Sequence, residues 1–263
     1  MEGNQSFIVK RSLGKQPLAV VTGGAHRVGK MLILELVRMG YGVLIHCNAS
    51  IVKAEQLKQL IFSQGGWAEI IQADLSQVNF IEYLFQKLDQ IDRPLKVWVN
   101  AAAVMLPNDI LHIEAAQWSS TMDLNLRAAL LCSSKAAERM RDGGNIINIS
   151  DYFAQQTWRK NPLYGLSKAS LEHLTRILAS RLAPGIRVNA LALAPVLPPE
   201  GCESESWQGI LSRSPGKRAI TQEEIGRGLE YVLTNEYISG EVVSVTGDGK
   251  ISIMAVEANE RPA

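Results

Sequence analysis

A doubly wound parallel α/β sheet with helices on both faces is the fold class this sequence predicts. Three observations point to it. Short β-branched runs alternate with longer segments of helical period, the strand-like runs are apolar throughout, and the first of them opens into a glycine turn. Runs without polar alternation belong to strands covered on both faces. Parallel neighbours need a long crossover, which the intervening helices supply with right-handed sense.

The elements follow in order. "LAVV" (18–21) is the first strand, and "VGKMLILELVRM" after it places Val28, Met31, Leu32 and Leu36 on one helical face. "GVLI" (42–45) is the second strand, and "AEQLKQLIF" repeats the helical pattern. "AEII" (68–71) precedes a helix near 77–89, "KVWV" (96–99) one near 114–140, and "NIINI" (145–149) one near 164–182. "RVNALAL" (187–193) and "EVVSV" (241–245) bracket a helix near 222–234. The Pro, Gly and Ser content of "PVLPPEGCESESW" makes 196–216 a candidate mobile lid. Trp98 and Trp118 read as core, His112 and His173 as packing or surface residues on helices, and "ERPA" (260–263) as a frayed tail. No repeat or linker divides the chain, so a single domain over 1–263 is expected, with its core at about 17–250.

With 263 residues, 46% hydrophobic and 20% charged, the chain has the composition of a globule able to bury a full core. A net charge of +1 gives no electrostatic reason to expect nucleic acid or an anionic membrane as partner. No run approaches the roughly 18–20 apolar residues of a membrane span, and "MEGNQSFIVKR" lacks the pattern of a secretory signal. Cys47, Cys132 and Cys202 are scattered without metal-ligand spacing. No metal is expected, and the thiols read as reduced ones in a cytoplasmic protein.

"TGGAHRVGK" (22–30) stands between the first strand and the first helix. Backbone N–H groups there can approach a pyrophosphate and the helix dipole favours its charge, which makes Gly23, Arg27, Val28 and Gly29 candidate nucleotide contacts. The spacing is not G-x-G-x-x-G, and a tight turn without a ligand would use the same glycines. NAD sites usually carry Asp or Glu after the second strand, on the ribose 2′-hydroxyl. Here that strand runs into "HCNAS" (46–50) with no acid. A carboxylate would repel a 2′-phosphate, whereas Asn48 and Ser50 can donate to it, and His26 and Arg27 add positive potential. His46, Asn48 and Ser50 are therefore candidate contacts and NADPH/NADP the expected cofactor. The alternative is that Asn48 and Ser50 only cap the next helix.

"DYFAQQTWRKNPLYGLSK" (151–168) carries a second constellation. Tyr164 and Lys168, four apart, share one helical face. A phenol with pKa of about 10 is a slow proton donor at neutral pH, and a nearby ammonium lowers that value by favouring the phenolate. Asp151 ends the fifth strand, at the carboxyl edge where open α/β sheets bind ligands. An ionised aspartate only accepts hydrogen bonds, so it suits amino and ring N–H groups better than a ketone oxygen, whereas one protonated by its setting would donate toward a ring nitrogen.

In this order and spacing the motifs resemble the short-chain dehydrogenase/reductase family over roughly 17–250, which implies a Rossmann-type sheet and a nicotinamide cofactor. "TGGAHRVG" resembles its Thr-Gly-x-x-x-Gly-x-Gly turn, with Arg27 at the middle glycine. "ADLS" supplies Asp74 and Leu75 beside adenine, and "VNAAA" looks like the Asn-Asn-Ala-Gly segment, keeping only Asn100 and Ala102, with Ala101 between them as a further cofactor contact. "DLNLRA" supplies Asn125 as the active-site asparagine, which in the family holds a water in a proton relay. "YGLSK" supplies Tyr164 and Lys168, the lysine also bonding the nicotinamide ribose. "RVNALALAPVLPPE" resembles the loop over the nicotinamide and gives Pro195 and Val196, although Leu193-Ala194 replace its Pro-Gly.

Arg27 for glycine and Asp151 for the usual serine, thirteen residues before Tyr164, are typical of the pteridine reductase and dihydromonapterin reductase branch. The resemblance implies Asn125, Asp151, Tyr164 and Lys168 as catalytic residues. Arg27, Met105, Asp151 and Tyr164 would meet substrate, Met105 standing where that branch has a stacking aromatic, with Tyr152, Phe153 or Trp158 as other sources of a ring. Ala103 replaces that branch's serine. An NADPH-dependent dihydropterin reductase is the leading expectation. A carbonyl reductase of the same fold and an NADP-binding protein without turnover are the alternatives. The family implies a homodimer or homotetramer through the helices near 114–140 and 164–182, whose apolar faces include Leu126, Leu130, Leu171 and Leu174, faces that would equally serve a monomer's core.

Overall fold

The computed structural model describes residues 15–157, 160–199 and 201–254. Trp158 and the 260–263 tail lie outside the described residues. The strands are β1 (Leu18–Val21), β2 (Gly42–Cys47), β3 (Ala68–Gln72), β4 (Leu95–Asn100), β5 (Gly144–Asp151), β6 (Ile186–Leu193), β7 (Val242–Val245) and β8 (Ile251–Ile253). They form one sheet in the order β3-β2-β1-β4-β5-β6-β7-β8, parallel except for the antiparallel pairing of β8 on β7. The helices are α1 (Arg27–Arg38), α2 (Ile51–Ser63), α3 (Val78–Leu88), α4 (Ala115–Met122), α5 (Ala128–Ala137), α6 (Pro162–Leu182), α7 (Ser204–Leu211) and α8 (Gln222–Thr234).

Side chains alternate across the sheet and build two cores. Ala19, Val21, Val43 and Ile45 face α1, α2 and α8, against Leu32, Leu36, Leu57, Ile61, Ile225 and Leu229. Leu18, Val20, Leu44 and Trp98 face α3, α5 and α6, against Leu84, Phe85, Cys132, Leu171 and Leu174. Trp98 is fully buried and stacks on Phe85 with ring centroids 5.0 Å apart. Burial of this kind on both faces explains why the strands read as unbroken apolar runs. Among the described residues no helix is long and apolar enough to cross a membrane.

Three expectations need correction, and one further segment has more structure than its composition signals. The helix near 114–140 is two helices joined by a π turn at Asp123–Arg127, where the Ala128 N–H bonds to the Asp123 carbonyl. The segment 196–216 contains α7, whose Trp207, Ile210 and Leu211 follow helical spacing and bury Leu211. Trp118 is exposed rather than core. His112 sits on a short 3-10 turn, Ile110–His112, paired with Asp109, rather than on a longer helix. Strand β8 is only three residues long, Ile251, Ser252 and Ile253, too short a run to stand out by period.

Candidate active site

The strand order reverses between β1 and β4, and an open parallel sheet offers a crevice at the carboxyl ends on either side of that point. The sequence-derived site residues gather there. Gly23, Arg27, Val28 and Gly29 follow β1; His46 lies in β2, with Asn48 and Ser50 just beyond it; Asp74 and Leu75 follow β3; Asn100 ends β4, with Ala101 and Ala102 just after it; Asp151 ends β5; Pro195 and Val196 follow β6. Tyr164 and Lys168 come from α6 and Asn125 from the π turn.

The glycine turn is built for close backbone approach. Gly23 has φ 66, and a Cβ there would sit 3.0 Å from Ala102 Cα; one on Gly29 would sit 2.0 Å from the Gly23 carbonyl oxygen. Thr22 joins the turn to β4, its hydroxyl accepting from the Ala101 and Ala102 N–H groups, each at 3.0 Å. Backbone groups make those bonds, so alanines serve where the family has other side chains. Helix α1 has no acidic residue in its first turn and no side-chain cap from His26. Helix α2 likewise starts without an acid and without a cap from the Ser50 side chain. Both helix starts therefore suit phosphate groups, the first a pyrophosphate and the second a 2′-phosphate beside Asn48 and Ser50. Leu75 lines the same cleft with Thr22, Asn100, Ala102 and Asn125, while Asp74 accepts from the Ser76 hydroxyl at 2.7 Å.

Two residues of this region behave differently from the expectation. His46 does not present its ring as a positive contact. It is buried, its Nδ1 accepts from the Gly23 N–H at 3.0 Å, and its Nε2 faces the Ala73 carbonyl at 2.9 Å. Burial lowers its pKa to about 4, so at neutral pH it is an uncharged brace under the turn. Arg27 has φ 51, the left-handed region that glycine tolerates and arginine does not. Its guanidinium donates to the Leu197 and Pro198 carbonyls at 3.1 and 2.8 Å, tying the turn to the segment after β6.

That segment keeps its own anchors despite losing Pro-Gly. The Ala194 N–H donates to the Val245 carbonyl at 2.9 Å, and the Pro195 carbonyl accepts from the Ile220 N–H at 2.9 Å. Val196 packs on the core.

At the centre, the Tyr164 hydroxyl donates to Asp151 Oδ2 at 3.2 Å, and the Phe153 N–H donates to Asp151 Oδ1 at 2.8 Å. Lys168 is buried; its ammonium donates to the Ile149 carbonyl at 2.8 Å and lies 5.7 Å from the centroid of the Tyr164 ring. Burial raises the Asp151 pKa against the lowering by the Phe153 N–H, Lys168 and Tyr164. Burial lowers the Lys168 pKa to about 8 despite the charges of Asp151 and Glu172. Tyr164 is the reverse of the expectation. Burial, then the charge and the hydrogen bond of Asp151, push its phenol well above the ordinary value. Burial first, and then a carboxylate where a serine was usual, set the direction.

Asn125 is buried in the π turn. Its Oδ1 accepts from the Val104 N–H at 2.8 Å, and its Nδ2 donates to the Val104 carbonyl at 2.9 Å and to Ser167 Oγ at 3.0 Å. With both amide hydrogens committed, the side chain pins the loop after β4 to α6. Met105, on that loop, is exposed. Tyr152 packs on the core, and Phe153 meets it edge-on at 5.3 Å beside Asp151. Sequence reasoning missed Thr22 and Ser167 as braces and Glu172 beneath Lys168. Glu172 had a signal, since it stands one helical turn after Lys168.

A family model described as enoyl-(acyl carrier protein) reductase, of the short-chain alcohol dehydrogenase type, matches residues 24–248. The chain belongs to the short-chain dehydrogenase/reductase family. It is an oxidoreductase of that family, and its cofactor is a nicotinamide dinucleotide. Escherichia coli YgfF, an uncharacterized oxidoreductase, is 27% identical over 243 residues, which cover 88% of this chain and 98% of that one. The FolM alternative dihydrofolate reductase 1 of Brucella canis, complexed with NADP, has a TM-score of 0.83 at 30% identity, covering 89% of this chain and 94% of that one. A blue fluorescent protein from a metagenomic library, in complex with NADPH, has a TM-score of 0.81 at 26% identity, covering 88% of this chain and 97% of that one.

Proposed function

We propose that this chain is an NADPH-dependent reductase of a dihydropterin-type heterocycle. The observation that carries the reading is the Asp151–Tyr164 hydrogen bond of 3.2 Å at the carboxyl end of β5. It puts a hydrogen-bond acceptor where a carbonyl reductase needs a donor. Similarity to the FolM alternative dihydrofolate reductase supports the same substrate class.

Bound NADPH supplies the hydride. Asn48 and Ser50 hold its 2′-phosphate, the α1 start its pyrophosphate, and Lys168 its nicotinamide ribose. Asp151 accepts from the amino and ring N–H groups of the heterocycle, and Arg27 complements its carbonyl oxygen. Reduction of a C=N bond needs one proton on nitrogen, and Tyr164 gives it from its hydroxyl. The phenolate left behind is stabilised by the Lys168 ammonium until solvent returns the proton. The enzyme works as a homodimer or homotetramer, through the exposed apolar residues of α5 and α6.

The test is NADPH oxidation by the purified protein with a dihydropterin, compared with Asp151→Ser. Turnover that falls at least about 100-fold in the variant supports the reading. A wild type inert to the pterin, with ketone reduction kept or improved in Asp151→Ser, supports the second reading, a carbonyl reductase. Ala103 and the exposed Met105 favour that second reading, because the loop after β4 offers neither hydroxyl nor ring.

A further inference from the structure

Glu172 is 1% exposed, one turn beyond Lys168 on α6. Its Oε1 accepts from the Ser150 hydroxyl at 2.7 Å and its Oε2 from Gln155 Nε2. These donors flank the turn that carries Asp151, Ser150 just before it and Gln155 just after the bond from the Ala154 N–H to the Asp151 carbonyl. One carboxylate therefore grips both ends of that turn and fastens it to the helix bearing Tyr164 and Lys168. Both donors are neutral, and a neutral amide could meet them. Lys168, four residues before Glu172 on the same helix, bonds the Ile149 carbonyl while Glu172 bonds the Ser150 hydroxyl, so the two buried side chains reach adjacent residues of β5 side by side. The charges acting on Lys168 are Asp151 from β5 and Glu172 from its own helix, with the Tyr164 phenol alongside.

We propose that Glu172 is a positioning residue of the reductase site, holding the Asp151 turn against α6 through Ser150 and Gln155 and keeping the Lys168 side chain charged from behind. Asp151 faces the substrate and exchanges hydrogen bonds during turnover, whereas Glu172 is sealed from both ligand and solvent. The cation thus has one partner that changes and one that does not. The proposal rests on the reductase reading but not on which heterocycle is reduced.

Wild type, Glu172→Gln, Glu172→Asp and the double variant Ser150→Ala/Gln155→Ala are compared across pH. NADPH affinity is followed by protein fluorescence, turnover by NADPH oxidation, and folding by thermal melts. Removing the carboxylate charge favours the neutral lysine, so the alkaline limb of affinity and turnover moves down by about one pH unit in Glu172→Gln. Glu172→Asp keeps the limb and lowers kcat. The double variant keeps the charge, leaves the limb in place and lowers kcat about 10-fold through the loosened turn. A folded Glu172→Gln whose limb coincides with that of the wild type overturns the proposal. Should Glu172→Gln not fold, a limb displaced in Glu172→Asp overturns it instead. The NADPH-affinity arm needs no substrate, so a wild type that reduces no pterin defeats the substrate assignment and leaves this comparison intact.

Discussion

Tyr164 donates to Asp151 with its ring beside Lys168, and its raised pKa keeps it a phenol through neutral pH. It therefore holds the transferable proton at neutral pH but gives it up as a weak acid, and the pH limit falls on Lys168 instead. That lysine is charged below about 8 and neutral above, so NADPH turnover should be flat through neutral pH and fall as pH rises through about 8. A rate that keeps rising beyond pH 9 would contradict this. Tyr164→Phe should lose about 100- to 10,000-fold in kcat with NADPH affinity little changed. At Arg27 the backbone and side chain pull in opposite directions. Arg27→Ala and Arg27→Gly both lose the bonds to Leu197 and Pro198, but only Ala keeps the cost of φ 51. The Gly variant should therefore be about 1 kcal/mol more stable than the Ala variant in denaturant melts. Tyr164, Lys168 and Asp151 were legible because helical spacing and a strand end dictate their meeting. The state of the phenol was not, since it depends on how burial weighs against two neighbouring charges.

At the scale of elements, the glycine turn is held from below by β2 and from the side by β4. The His46 ring is neutral in the folded protein, with a pKa of about 4 against 6.5 in the open chain. The unfolded chain takes up the proton first as pH falls, so this stability is full above 6.5 and lost progressively toward pH 4. The loss amounts to about 3 kcal/mol, and His46→Gln should remove that part of the acid sensitivity in melts at pH 7 and pH 4.5. Gly29→Ala forces a methyl within 2.0 Å of the Gly23 carbonyl oxygen. It should cost about 2 kcal/mol and weaken NADPH binding at least about 10-fold, measured by fluorescence titration. Seven strands and most helices were legible from period and run length. The break at Asp123–Arg127 was not, because it comes from Asn125 clamping Val104, a contact across 21 positions that no local pattern records. His46 read as a phosphate neighbour for a similar reason: sequence gives its place at the end of β2 but not the direction of its ring.

Across the whole molecule, the two cores on opposite faces of the sheet follow from the unbroken apolar strands, so fold class was the most legible property of all. What lay beyond reach was the edge, where β8 pairs with β7 through only three residues, a run too short to read as a strand. On the outer surface Leu130, Leu166 and Ile177 stand exposed on α5 and α6. On the proposed assembly, the wild type should sediment as a dimer or tetramer and a joint Leu166→Glu, Ile177→Glu variant as a monomer. Unchanged mass would place the interface elsewhere. The bond from Arg27 to Pro198 spans 171 positions. A ribosome adding roughly 5–20 residues per second needs about 10–30 s between making its two ends. Within that interval, from the completion of Asn100 until position 164 is reached, β1, β2 and β4 already exist while Tyr164 does not. A nascent chain can therefore offer a place for dinucleotide phosphates well before it can react with anything.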